Sequence, residues 1–565
     1  QIRVTGLAGI TYPFGWTATY SSDGVTYGAA PVTQAGWNAI RAVKAAGPIE
    51  SQGAFNGRQI ATGTGTEVSP TSGSFVSTGG ASGDGYDVFF DDQNHVFNVF
   101  HHDRWPNGRI DCHLRTGATC GPGWPFTIKG TTSTKSMAAV DTVYDHIWVP
   151  TGTPDTAVSG AEAPSPANKA GFVCVDIADL ATGPRFCSGT FAASFIAMTA
   201  SYMTSTQFDG VNSLAVIGSR MFAWAYGEGT AANRSKLLCL DMHANGGLGA
   251  ACPGSPLTVP GIDNAYIWYS SLKASQGRLY AMGLAPTGTG AGCIVPATLA
   301  PCTGWESGKV FSIGNQASVI YEQPSATGVI QGVCFQNTQT GAGQCYKEDG
   351  AVLTPHAGLK GFVSSGGWPD RNPDTAGTRI YYANYVDGNA LYCYDVALNS
   401  GAGASCPGWS ITDASRQAYA LVVDPYNADC LWRNGNDGVI KAYNSGGTVG
   451  CNSPPPWADL EANAVVPRMA CDDAGAVREW RSFALTAPAA NTFTTAKLTV
   501  YTAGGRVVVS GGTTWKDVTI PSGGSVDLSA LSVSDSGVDP TFRVTFTGRS
   551  TWDNVTAKVT AVGDA

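Results

Sequence analysis

Six times along this chain, a cysteine within an apolar strand is followed eight to thirteen residues later by a second cysteine. The pairs are Cys112/Cys120, Cys174/Cys187, Cys239/Cys252, Cys293/Cys302, Cys334/Cys345 and Cys393/Cys406. The clearest copy, residues 391–409, reads LYCYDVALNSGAGASCPGW. Tyr392, Tyr394 and Val396 share one face of an alternating strand, and Cys393 and Asp395 share the other. A turn-prone Gly/Ala/Ser loop then leads to the second cysteine, with Pro-Gly-Trp behind it. That order reads as a disulfide clamping a hairpin. Repetition of one unit restricts the fold more than composition can, because the unit must pack on copies of itself.

Each unit reads as four short strands. In the first, 86–91 and 95–102 flank a polar turn at Asp92-Gln93-Asn94, 109–115 carries the cysteine, and 124–129 follows. The same order recurs at 137–140, 143–149, 171–177 and the segment after Cys187. It recurs again at 213–217, 221–226, 236–242 and 257–260, and further units span 266–313, 317–355, 360–412 and 418–457. The first cysteines, at 112, 174, 239, 293, 334 and 393, stand 41–65 residues apart. A lone four-stranded sheet cannot bury both faces, whereas sheets set around an axis bury them against each other. The expected fold is therefore all-β: a β-propeller of about seven disulfide-stapled blades over 84–464. Counts of six and eight also fit the irregular outer units. A β-helix would need shorter, more uniform repeats. The seventh unit breaks the cysteine pattern: Cys430, Cys451 and Cys471 remain of the fifteen, their pairing open and one thiol left over.

The flanks differ from the repeats. Residues 1–83 read as an N-terminal segment with a hairpin at 19–27, turning at Asp23-Gly24, and a helix at 34–46. Trp37, Ile40, Val43 and Lys44 share a face of that helix, and Gly47-Pro48 ends it. The Gly/Ser/Thr-rich stretch 61–84 reads as a loop. From 465 onward Thr/Val alternation takes over. Expected strands at 497–501, 506–510, 526–528, 541–547 and 555–562 make a C-terminal β-sandwich over 465–565, Ig-like or jelly-roll.

Composition excludes several roles. A net charge of −9 with no Lys/Arg run argues against nucleic acid as a partner. Cysteines in close pairs without a CxxC knuckle favour disulfides over zinc, and with them an oxidising compartment. The chain opens at Gln1 without a basic or apolar leader, which reads as a mature product after signal-peptide removal. No apolar run is long enough to insert into a membrane. GxSxG, HExxH, Walker and GxGxxG patterns are absent, so no catalytic residue, metal ligand or cofactor is nominated. The NGNDG run at 434–438 lacks the later Glu of a calcium loop and reads as a hairpin turn. Asn233 and Asn554 head glycosylation sequons.

Meander topology places candidate contacts. In each blade the first-to-second and third-to-fourth loops emerge on one face of the disc. The second-to-third loop and the link to the next blade emerge on the other. With the cysteine loops taken as third-to-fourth, the long insertions 151–170 and 194–210 fall on the face away from the disulfides. Irregular loops on a regular scaffold are where binding residues concentrate. On that face His101, His102, Asp103, Arg104 and Trp105 put imidazole, carboxylate, guanidinium and indole within five residues. That set suits a sugar or peptide contact; the plainer alternative is a polar loop with one packed Trp. Tyr266, Trp268 and Tyr269 form either a glycan platform or a wedge between blades.

Over 84–460 the repeats resemble those of secreted bacterial β-propeller surface proteins with an appended β-sandwich. The strand–Cys–loop–Cys–Gly–Trp order carries the likeness, best at 112–124 and 393–409; Cys174/Cys187 and Cys334/Cys345 lack the Pro-Gly-Trp tail. The resemblance implies a secreted or cell-surface protein. The expected role is non-enzymatic recognition or adhesion, with a glycan or another surface protein as partner. Two alternatives stand beside it. One is a structural subunit of a filament or sheath, self-assembling through 1–60 or 465–565. The other is a glycan-active hydrolase or lyase.

Overall fold

The structure is a computed structural model. It describes most of residues 85–451, apart from 92–94, 101–106, 130–137, 142–143, 153–161, 163–169, 179–181, 199–210, 226–234, 264–270, 312–317, 338–340, 364–373, 385–389, 410, 413–417, 425–426 and 436–437. Outside that range it describes only the paired strands named below.

Seven antiparallel meanders follow one another along the chain. Blade 1 is Gly85–Phe90, His95–Phe100, Asn107–Leu114 and Phe126–Lys129. Blade 2 is Ala139–Asp141, His146–Gly152, Ala170–Asp176 and Arg185–Phe186, with Phe195–Ala197 rejoining its third strand. Blade 3 is Val211–Ile217, Arg220–Ala225, Lys236–Asp241 and Ala250–Ala251. Blade 4 is Ser271–Ser275, Arg278–Ala285, Gly288–Ile294 and Lys309–Phe311. Blade 5 is Ser318–Pro324, Ile330–Asn337, Gly343–Tyr346 and Val352–Leu353. Blade 6 is Asp374–Ala376, Arg379–Asn384, Ala390–Asp395 and Ala404–Ser405, with Ile411–Thr412 rejoining its third strand. Blade 7 takes Ala418–Asp424, Asn427–Gly435 and Val439–Asn444, and its outer strand is Ser74–Val76, from the other end of the chain.

The core is not one mass but seven seams. Phe97 and Val149 pack between blades 1 and 2, Trp148 and Leu238 between 2 and 3, and Trp224 and Leu279 between 3 and 4. Tyr280 and Phe335 fill the fourth seam, Tyr321 and Ile380 the fifth, and Tyr381 and Leu431 the sixth. The seventh sets Trp432 of blade 7 against Phe90 and Val96 of blade 1. That last seam closes the ring and makes this a seven-bladed β-propeller. Successive residues of a strand point to opposite faces, so each strand feeds two seams. In Arg220–Ala225, Met221, Ala223 and Ala225 face blade 2 while Phe222 and Trp224 face blade 4. This is why the middle strands read as unbroken apolar runs.

All six expected disulfides are present: Cys112–Cys120, Cys174–Cys187, Cys239–Cys252, Cys293–Cys302, Cys334–Cys345 and Cys393–Cys406. A seventh joins Cys430 to Cys451, and Cys471 lies outside the described residues. Every bond lies on the side of its blade that faces the next one, and blade 7 faces blade 1 in the same way. The third-to-fourth placement holds in blades 1, 2, 3, 4 and 6 but not in the other two. In blade 5 Cys334 is on the second strand and pairs directly across from Cys345 on the third. In blade 7 Cys430 is on the second strand, and Cys451 follows the third. The third strand has neighbours on both sides, so either can supply the partner cysteine. Cys345, not Cys334, matches the first cysteine of blades 1, 2, 3, 4 and 6.

Within blades 3, 4 and 6 the second cysteine of each pair lies outside the strands. Cys252 and Cys406 directly follow the two-residue fourth strands, and Cys302 precedes Lys309–Phe311, so none of the three is on a strand. Yet Cys252, Cys302 and Cys406 are buried in the seams with the next blade. A backbone bond holds each of them against the third strand. Each donates its N–H to the carbonyl of its partner cysteine: Cys252 to Cys239 at 2.9 Å, Cys302 to Cys293 at 3.0 Å and Cys406 to Cys393 at 2.9 Å. Cys120 and Cys187 make the same bond, at 3.3 and 3.2 Å, and stay half-exposed, so it is packing of the next blade over the loop that buries these three sulfurs.

The stretch expected to be a loop at 61–84 holds the end of one strand, Gln59–Gly63, and all of Ser74–Val76. Strands this short carry no readable period, and an edge position demands only backbone pairing. Gln59–Gly63 pairs with Trp457–Glu461, and Ile49–Gln52 pairs with Thr556–Gly563. These contribute to two antiparallel sheets near the C-terminus. One orders Ile49–Gln52, Thr556–Gly563, Arg478–Thr486 and Ser525–Asp527, with Ser534–Asp535 also on Arg478–Thr486. The other orders Val518–Pro521, Thr495–Tyr501, Thr541–Thr547, Trp457–Glu461 and Gln59–Gly63. Ile2–Thr5 pairs with Thr17–Tyr20. The expected helix at 34–46, the strand at 506–510 and the hairpin beyond Tyr20 lie outside the described residues.

Candidate functional site

The disulfide face is organised by one recurring contact. In blades 2, 3, 4 and 6 the residue that opens the second strand reaches the loop after the third strand of the next blade. His146 Nδ1 lies 2.9 Å from the Gly247 carbonyl oxygen. Arg220 donates to the carbonyls of Pro296 and Ala297, Arg278 to the Glu348 carboxylate at 3.0 Å, and Arg379 to the Ser445 carbonyl at 3.2 Å. The tryptophan of the Cys-x-Gly-Trp tail does the same. Trp305 donates to the Glu348 carbonyl at 3.1 Å and Trp409 to the Ser445 carbonyl at 2.8 Å. The glycine before each tryptophan has φ near +80°, and a Cβ there would overlap the neighbouring loop: Asp349 O at Gly304, Gly446 O at Gly408. The repeated tail is thus a seam motif, which accounts for its recurrence without invoking a ligand.

At the closing seam the polar groups are buried. Arg115 grips Asp424 with two hydrogen bonds, of 2.8 and 3.1 Å, and Trp432 Nε1 donates to the same carboxylate at 3.0 Å. The Arg115 guanidinium also lies over the Phe90 ring at 5.4 Å. Nearby in blade 1, His95 is held by Asp91, and His113 Nε2 lies 3.1 Å from Asp111. Asn434 of blade 7 donates to Asn98 of blade 1 at 2.6 Å. These groups pair with one another inside the protein, except that the Asn98 Nδ2 donor is buried without a partner among the described residues.

A half-exposed group sits at the seam of blades 2 and 3. Asp141, at the end of a first strand, is buried and lies 3.1 Å from His243 Nε2, 102 residues away. Tyr144 meets the His243 ring edge-on at 5.6 Å and stacks on His146 at 6.0 Å. Between those two rings, Asp145 holds φ +53°, a conformation that costs a non-glycine residue energy. Burial works against the His243 imidazolium. The hydrogen bond and charge of Asp141, with the charge of Asp241, outweigh it and hold the pKa above the ordinary 6.5. The arrangement is an imidazole steadied by a buried carboxylate, able to keep a proton where a free histidine would lose it.

The sign of this coupling is testable. A pKa raised on folding adds stability that is full below about pH 6.5 and is lost as pH rises through the folded value. Wild type should therefore exceed His243→Gln in Tm at about pH 6, and the gap should narrow by about pH 9. Thermal melts across that range check it, and a constant gap would show that the pair carries no such coupling.

Among the described residues, one group has the composition of a metal site: His146, Cys174 and Cys187, with ligand atoms within 4.8 Å of one another. The two sulfurs are bonded to each other, so the group offers a metal no thiolate.

His101, His102, Asp103, Arg104 and Trp105 lie outside the described residues, as do Tyr266, Trp268 and Tyr269. The strands around the first stretch are described. Phe100 and Arg109 pair at the end of blade 1 remote from Cys112–Cys120, and His95 and Leu114 at the near end. Sequence reasoning missed Asp141–His243, because its two members are far apart in the chain. A comparison between repeats holds the signal. Cys239-Leu-Asp241-Met-His243 and Cys393-Tyr-Asp395-Val-Ala397 occupy the same place, with His in one and Ala in the other.

The chain matches no protein-family model and no curated protein. Among solved structures it is similar to the Dos1 propeller, at 10% identity and TM-score 0.38, covering 64% of this chain and 79% of that one. It is also similar to Sqt1 of Chaetomium thermophilum, at 12% identity and TM-score 0.35, with 66% and 97% covered. A third is the polysaccharide lyase Uly1, at 10% identity and TM-score 0.35, with 70% and 99% covered. Likeness at this level carries nothing about activity, and the fold rests on the strand pairing described above.

Proposed function

We propose that this is an extracellular, non-enzymatic recognition protein whose propeller face away from the disulfides binds a glycan or another surface protein. The observation that carries the reading is the division of labour between the two faces. On the disulfide face the turns are tight, as at 218–219, 276–277 and 377–378, and the loops are tied across seams. The third-to-fourth loops of that face are long in places, as at 295–308, but each is held by a disulfide or a seam contact, whereas 153–169, 199–210 and 226–234 join strands at their opposite ends. A scaffold stitched on one side can vary its loops on the other without loosening. Seven disulfides favour an oxidising location, and no helix among the described residues is long and apolar enough to cross a membrane. The two C-terminal sheets fit a β-sandwich that assists binding or assembly.

The purified protein should give hits on a glycan array that Trp105→Ala weakens by about tenfold, the loss of a stacking contact worth about 1–2 kcal/mol. No binding to any glycan, with Trp105→Ala equally silent, would remove the carbohydrate reading. A structural subunit is the second reading, favoured by the N-terminal strands Ile49–Gln52 and Gln59–Gly63 at the edges of C-terminal sheets. The same pairing made between copies would propagate a polymer. Sedimentation of the native protein separates the two: a monomer supports the binder, a polymer the subunit.

A further inference from the structure

We propose that Cys174–Cys187 is a thiol–disulfide exchange site, opened by an external dithiol and assisted by His146. The seven bonds are not alike in exposure. Both sulfurs are buried in Cys239–Cys252, Cys293–Cys302, Cys334–Cys345 and Cys393–Cys406. Among the described cysteines only Cys120, Cys187 and Cys451 are half-exposed, each bonded to a buried partner. Of these three, only Cys187 belongs to a bond with an imidazole beside it. A nitrogen of His146 and both sulfurs lie within 4.8 Å of one another, and no other such group occurs among the described residues. Exchange needs a sulfur that a thiolate can reach and a way to stabilise the thiolate that leaves. The half-exposed Cys187 meets the first need and His146 the second.

Charged and aromatic side chains surround that imidazole. Asp176 faces His146 directly across the strand pair and hydrogen-bonds Arg185 at 2.7 Å. Arg185, whose side chain is 62% exposed, stands two residues from Cys187 and adds positive charge near the point of attack. Tyr144 stacks on the imidazole and holds its plane.

The reaction balances with the dithiol as reductant. Its thiolate attacks Cys187 Sγ, a mixed disulfide forms, and the protein S–S bond breaks. Cys174 leaves as a thiolate and takes a proton from His146, which regains one from solvent. The dithiol's second thiol, deprotonated, then attacks its own sulfur in the mixed disulfide and releases Cys187 as a thiolate, which takes up a proton from solvent. The dithiol ends as a cyclic disulfide, and the protein holds two thiols. Opening the bond would unfasten blade 2 at the seam with blade 3, where Cys174 packs against Trp148 and Met242.

Graded dithiothreitol under native conditions, quenched by alkylation and followed by peptide mass mapping, tests this on the full chain. Cys174 and Cys187 should be labelled first, about fivefold or more faster than Cys112/Cys120 and Cys430/Cys451. His146→Asn keeps an N–H for the Gly247 carbonyl but removes the imidazole. It should slow this pair to the rate of the other two and leave theirs unchanged. Labelling of Cys120 or Cys451 ahead of or together with Cys187 overturns the proposal, and that ordering needs no variant. An unchanged rate in His146→Asn overturns the role of the imidazole.

Discussion

Asp424→Ala should destabilise the protein by about 3–5 kcal/mol, the cost of stranding a buried cation. Asp424 and Arg115 join the last blade to the first, 309 residues apart, with side chains 0% and 6% exposed. The carboxylate accepts both guanidinium bonds and the Trp432 indole N–H, so alanine strips three donors of one acceptor. Any propeller must hold its first and last blades together against the entropy of an open chain. Among the described residues that seam has one apolar cluster, this ion pair, the Asn434–Asn98 hydrogen bond, and the three-residue strand Ser74–Val76 on the outer edge of blade 7. Urea unfolding followed by tryptophan fluorescence should show the midpoint falling well below wild type. The double variant Asp424→Ala/Arg115→Met should recover most of the loss, because removing both charges leaves no ion unpaired. If the single variant unfolds at the wild-type midpoint, the pair does not close the ring.

Gly304→Ala is expected to cost roughly 3 kcal/mol, from two independent sources. Gly304 has φ +80°, where an L-residue is strained by about 1–2 kcal/mol. A Cβ there would also overlap the Asp349 carbonyl of the next blade, and overpacking of this kind adds about 1–3 kcal/mol. Gly277→Ala separates the two. Its φ is +71°, but nothing lies within 4 Å of the added carbon, so only the strain should appear. The difference in Tm between the variants measures the seam itself. Equal losses would mean that the Cys-x-Gly-Trp tail does not brace blade 4 against blade 5.

Much of the architecture was legible because the repeats state it. Cysteine spacing, two-faced apolar strands and Gly-rich turns recur, and each recurrence strengthens the same reading. The local disulfides followed from short loops that left their cysteines little choice of partner. Blade 5 shows where the inference stops: Cys334 and Cys345 are paired as expected, yet they link the second strand to the third. A spacing of eleven residues fits a hairpin on either side of the third strand. Nor did spacing reveal that Cys252, Cys302 and Cys406 are drawn into the seams, since burial depends on the next blade. The ring-closing strand was invisible for another reason. Ser74-Phe75-Val76 lies in a Gly/Ser/Thr-rich stretch, and a three-residue edge strand needs no pattern to pair. The stretches nominated for binding, 101–105 and 266–269, lie outside the described residues, whereas the Asp141–His243 pair was not nominated at all.

By itself the sequence determined the unit: four strands, a clamp of two cysteines and a tail of glycine and tryptophan. Those features come from neighbours a few residues apart, and local spacing is enough to fix them. Only the tertiary structure decided what the unit meets. It set Arg115 against Asp424, Trp409 against Ser445, and Asp141 against His243. The hydrogen bonds between blades described above join residues 36 to 336 positions apart. No periodicity reports them, because they arise from the closing of the ring rather than from any one strand.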